Sequence, residues 1–184
     1  MKFVSLLSVL MVLSSCSGAV PELHQYLLRA DSAAPAVTSI ASREIGIGNL
    51  VIASYIDGPG LILETQSGQV HSARDHQWAE PLRESLRIFL ARQIAVAADR
   101  PIAAQHLKNS HWQQRIDIRI DQLHGGRDGS AVLVAYWQIT NNQKSLVDHE
   151  FIDSEPLIKS GYAALVKAQK RLLERLSSAI AASL

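Results

Sequence analysis

A single cysteine is present among the 184 residues. No disulfide can close within the chain, so stability has to come from buried apolar surface. Aromatic residues make up only 5%, which leaves that burial mainly to aliphatic side chains. An excess of charge is missing as well. The 18 Lys and Arg are balanced by 17 Asp and Glu, which removes the electrostatic reason to expect nucleic acid or anionic lipid as a partner. No apolar run reaches the roughly 20 residues of a bilayer-spanning helix; the longest, residues 3–13, is about a dozen. No repeat is evident.

Chemistry-bearing patterns are equally scarce. No serine sits in a Gly-x-Ser-x-Gly elbow. Gly125-Gly126 precedes a strand pattern, not a helix, so it reads as a turn and not a phosphate cradle. His71, Asp75 and His76 lie close in sequence, but the two histidines are five residues apart and fall on opposite faces of a strand. No third ligand has a recognisable spacing. His106 and His111 lie in a loop without a companion motif. The reading is of a chain without catalytic residues, metal or cofactor.

What is present begins at the N-terminus. Lys2, the apolar run and Leu13-Ser14-Ser15-Cys16 form a secretory signal peptide over residues 1–15. The tetrapeptide resembles the bacterial lipobox. That resemblance implies that Cys16 is diacylated on its thiol, becomes the mature N-terminus and is acylated on its amine. Ser17, not Asp, follows the cysteine, which by the same resemblance points to the outer membrane. The alternative is an ordinary signal peptide ending in Cys. Cleavage leaves 169 residues with 17 charges of each sign. Residues 16–21 read as a lipidated tether reaching about 17 Å from the anchor, and residues 22–184 as one domain held close to the membrane.

Within that domain, residues 24–28 read as a strand with Tyr26 and Leu28 on one face, and residues 30–42 as a loop. Ile45 and Ile47 alternate with glycines, and residues 50–55 continue extended. Residues 61–65 and 70–74 pair as a hairpin across Gln66-Ser67-Gly68-Gln69. Residues 76–82 open a helix with Pro81 in its first turn. Leu82, Leu86, Phe89, Leu90, Gln93, Ile94 and Ala97 form its stripe, and Asp99-Arg100-Pro101 stops it. Residues 102–110 could hold a short strand. Residues 115–123 are the clearest strand, with Ile116, Ile118 and Ile120 against Asp117, Arg119 and Asp121. Residues 131–140 and 146–152 complete an antiparallel meander. A last helix starts near Glu155 with Ser154 as N-cap, its stripe running from Tyr162 to Ile180. The fold class is α+β: a mainly antiparallel sheet with two amphipathic helices packed on one face.

The order of four motifs is specific: Ile45-Gly46-Ile47-Gly48, Tyr55-Ile56-Asp57-Gly58-Pro59, Thr65-Gln66-Ser67-Gly68 and Trp78-Ala79-Glu80-Pro81-Leu82. Together they resemble the PqiC/YmbA family of auxiliary lipoproteins of ABC-type transport systems. The resemblance covers nearly the whole mature chain. It implies a non-catalytic accessory subunit on the outer membrane, facing the periplasm, with an MCE-domain transport protein (PqiB-like) as partner and a hydrophobic cargo. Candidate partner-binding residues are Tyr55, Asp57, Pro59, Trp78 and Glu80, with Asp117, Arg119 and Asp121 as a charged face for assembly with neighbouring copies. For Trp78 and Glu80 a structural reading stands beside this one: packing against the helix that follows, and favouring its positive end. Two rival functions are a regulator of a cell-wall synthase and a direct lipid carrier.

Overall fold

The computed structural model describes residues 21–30, 44–104, 112–141 and 147–184. The expected signal peptide, Cys16, nearly all of the 30–42 loop, His106, His111 and most of the 141–144 turn lie outside those residues.

The sheet is built around one long strand, β6. Its elements in chain order are β1 (His24–Tyr26), β2 (Ile45–Ile52), β3 (Gly60–Gln66), β4 (Gln69–Trp78), α1 (Leu82–Ala98), β5 (Ile102–Ala103), β6 (Gln114–Gly125), β7 (Ser130–Asn141), β8 (Asp148–Pro156) and α2 (Tyr162–Ala181). The alternation in β6 does what it predicts. Ile116, Ile118 and Ile120 are buried; Arg115 just before them and Arg119 between them are exposed, and Asp117 is half-buried. β6, β7 and β8 form the expected antiparallel meander. The 67–68 turn closes the expected β3–β4 hairpin, with Gly68 at φ 74°, a left-handed backbone that suits glycine.

The other pairings are parallel. β2 lies along β6 with Ile47 opposite Ile116 and Ile52 opposite Ile120. β3 meets the end of β6 at Leu63 and Gly125, β1 runs beside β4, and β5 beside β2. The α+β class stands, but the sheet is mixed rather than mainly antiparallel. Hairpins announce themselves through local turns; parallel neighbours are joined by long connections that leave no local signal.

The two helices pack side by side, α1 over β2 and β5, and α2 over β7 and β8. Each buries the expected stripe except at Gln93 and Tyr162, which are half-buried, and Ala97, which is exposed. Both begin later than their sequence signals suggest. Residues 76–78 remain in β4, and Pro81, with ψ 121°, stands outside the first turn as the N-cap residue. Asp99, at φ 49°, ends α1 where expected. Ser154 and Glu155 are not the start of α2; they pair with Val132 and Ala131 inside β8. The helix starts after Gly161, whose φ of 104° turns the chain.

Glycine has a packing role in β2. A Cβ on Gly46 would stand 2.2 Å from the Trp112 ring, so only glycine lets that ring lie on the strand.

An ion-pair network fastens β8 to α2. Arg175 donates to Asp153 and Glu155 at 2.7 Å each, and Arg171 to Glu155 at 2.7 Å. These donors, Arg175 first, hold the Glu155 carboxyl below its ordinary value near 4.5. A depressed folded-state value means that the stabilisation is present above the ordinary value and disappears as pH falls through the depressed one. Glu155→Gln should therefore lower the Tm by a few degrees at neutral pH. The gap to the parent should close as thermal melts are taken down through the carboxylate range; a gap independent of pH would refute this origin.

Candidate docking surface

The residues singled out in the sequence separate into two groups. The first lies on the face of the sheet turned away from the helices. Strand register places Val51, Arg119, Tyr136 and Glu150 in one row across β2, β6, β7 and β8. Arg119 donates to Asp121 at 2.6 Å, and Arg115 to Asp117 at 2.9 Å. The Tyr55 hydroxyl donates to the Asp121 carbonyl at 3.3 Å, so Tyr55, Asp117, Arg119 and Asp121 share one surface. Burial, and next the Asp121 charge, push the Tyr55 hydroxyl up. Tyr136 is also pushed up, by its hydrogen bond to Glu150 first.

Apolar side chains break up these charges. Ile152 is 66% exposed, Val51 49% and Tyr136 37%. Sequence reasoning missed all three. Each sits at a regular alternate position of its strand, but only the register across four strands brings them together.

Asp117 also has a local task. β2 bulges between Ile47 and Leu50, which frees backbone groups from the ladder. The Asp117 carboxylate accepts the Asn49 N–H from one side. From the other, Arg87 of α1 donates to the carbonyls of Ile47 at 2.9 Å and Gly48 at 2.8 Å.

The second group surrounds the passage from β4 into α1. Trp78 is buried, and its N–H donates to the Pro59 carbonyl at 2.7 Å. The Ala79 N–H donates to the Tyr26 carbonyl at 2.9 Å. Glu80 pairs with Arg29 and accepts from the Ser85 hydroxyl at 3.1 Å; the Arg29 hydrogen bond, before that of Ser85, lowers its carboxyl. Asp57 pairs with Arg83 of α1. Asp57, Pro59, Trp78 and Glu80 thus clamp the 53–59 loop and β1 to the start of α1. For Trp78 and Glu80 this geometry supports the structural reading.

His76 belongs to a ring stack. The His24 ring lies 4.8 Å from it and the Tyr162 ring 4.1 Å, and the Tyr26 hydroxyl lies 3.0 Å from its Nδ1. Among the described residues, no three His, Cys, Asp or Glu side chains are arranged to hold a metal ion.

Comparison with known proteins gives this architecture a family. The sequence profile of the ABC-type transport auxiliary lipoprotein component matches residues 26–181. That span runs from β1 to the last residue of α2 and takes in every core element. The chain belongs to this family. Among curated relatives of this auxiliary lipoprotein, the intermembrane transport lipoprotein PqiC of Escherichia coli (strain K12) is 21% identical over 166 residues, covering 90% of this chain and 88% of its own. PqiC of Shigella flexneri matches to the same extent. Two crystal structures share the fold. An uncharacterized protein superposes with a TM-score of 0.74 at 22% identity, covering 88% of this chain and 98% of its own. A Xanthomonas campestris protein superposes at 0.62 and 14% identity, covering 77% and 85%. No helix among the described residues is long and apolar enough to cross a membrane.

Proposed function

We propose that this auxiliary lipoprotein is a non-catalytic subunit of an MCE-type lipid transport system, anchored through Cys16 in the outer membrane and facing the periplasm. Residues 1–15 would be its signal peptide and residues 16–21 its tether. The observation that carries this reading is the family match across the whole fold, beside relatives named as intermembrane transport lipoproteins. Two features support it. The lipobox-like Leu13-Ser14-Ser15-Cys16 supplies an anchoring cysteine. The outer sheet face mixes Ile152, Val51 and Tyr136 with paired charges, a composition suited to protein contact. We assign that face to neighbouring copies of the chain. The MCE-domain protein would meet another part of the surface.

The test is a pull-down from detergent-solubilised envelopes of cells making C-terminally tagged and untagged copies, with the bound proteins identified by mass spectrometry. Recovery of an MCE-domain protein is the expected result, and recovery of the untagged copy supports self-association. A peptidoglycan synthase recovered without any MCE protein would overturn the transport reading in favour of cell-wall regulation.

A further inference from the structure

Strand directions sort the loops between two ends of the fold. β1 is parallel to β4 and lies along its last three residues, with His24 opposite His76, so the chain ahead of β1 points toward the end at which the β3–β4 hairpin turns. β6 runs parallel to β3 and finishes at this same end, at Gly125. The 126–129 turn and the 157–161 loop before α2 are therefore here too, joined by the Leu157 N–H, which donates to the Gly129 carbonyl at 2.9 Å. The stack of His24, His76 and Tyr162 ties β1 to the start of α2. The beginnings of β2, β5 and β6, and the end of α1, lie at the opposite end.

The end bearing β1 has the composition of a membrane-contacting surface. Ile158 is 81% exposed, more than any other large apolar residue described, and Leu23 (52%) and Val70 (49%) share its end. Lys159 beside it is exposed, as is more than half of the Arg127 side chain, which lies 3.9 Å from the Glu64 carboxylate. An apolar side chain at a loop tip can enter the acyl boundary while neighbouring cations meet lipid phosphates. The length of chain ahead of Pro21 says which surface is near. Cys16 precedes Pro21 by five residues, so acyl chains on it lie within about 17 Å of Pro21 even when the tether is extended. We propose that this end of the domain rests on the bilayer, with Ile158 inserted and Lys159 and Arg127 against phosphates. The opposite end, bearing Glu44, Trp112 and Asn141, then points away from the membrane. This rests on the acylation of Cys16.

The test uses the full lipidated chain in vesicles of phosphatidylethanolamine and phosphatidylglycerol. An environment-sensitive fluorophore is placed on Ile158→Cys or, as a control, on Val96→Cys near the end of α1. Both positions are exposed, and the acylated Cys16 thiol does not take the label. Flotation with the vesicles reports the anchor. Doxyl-labelled lipid should quench the probe at 158 several-fold more than the probe at 96. Flotation with equal quenching would overturn the docking surface and leave the anchor standing. A chain that does not float would overturn both.

Discussion

Truncating Phe89 to alanine should remove about 3–5 kcal/mol of unfolding free energy. Phe89 is 2% exposed and among the largest fully buried side chains. It lies midway along α1, the helix packed between α2 and the strands β2 and β5. Losing the ring opens a cavity on the buried side of that helix, with rigid elements around it that cannot close in. Domains of this size hold only about 5–15 kcal/mol in total, so the variant should melt roughly 10–15 °C lower. Urea denaturation beside Ile88→Ala provides the control. Ile88 is adjacent in sequence but 37% exposed, and its truncation should remove less than about 1 kcal/mol. Equal losses at the two positions would mean that α1 does not present this face to the core.

The second large effect is expected outside the folded domain. Cys16→Ala should reduce incorporation of labelled palmitate into the protein to background and remove the protein from the outer-membrane fraction. Each buried methylene contributes about 0.8 kcal/mol, and two chains or more are needed for stable anchoring. No helix among the described residues offers a spanning substitute. Undiminished labelling of the variant would show that the anchor is not at Cys16 and would remove the basis for placing the β1 end on the bilayer.

Much of the fold was legible because its signals are local. The alternation through β6, the stripes of both helices and the Gly68 turn each arise within a single element or turn, and each is where the pattern puts it. The errors share a different cause. His76 to Trp78 has the composition of a helix entry, with Pro81 close behind, but backbone pairing with Tyr26 and Pro59 from far upstream keeps it extended. Ser154 resembles an N-cap because small polar residues suit both caps and edge strands. The ladder to β7 decides between them. The outer face was half visible. Asp117, Arg119 and Asp121 follow from one strand's alternation, whereas Val51, Tyr136 and Ile152 depend on register between strands. The charges that looked unattached on that face turn out to be paired, and Asp117 helps to close a bulge that no sequence pattern announces.

The parallel pairing of β2 with β6 governs the order in which the chain can assemble. β6, β7, β8 and α2 are consecutive in sequence and meet through short connections, so the C-terminal half contains its own nucleus. β2 has no such neighbour. Its partners are β5 and β6, and Ile47 finds its place only against Ile116. Contacts this distant along the chain form late, because loop closure must come before any gain from pairing. Until residues 114–125 are available, β3 and β4 can close their hairpin with the short β1 beside it, but β2 lacks the long strand it lies along. The half that carries the glycine motifs and follows Cys16 is thus the half that stays open longest. A chain so arranged remains threadable until its last third arrives.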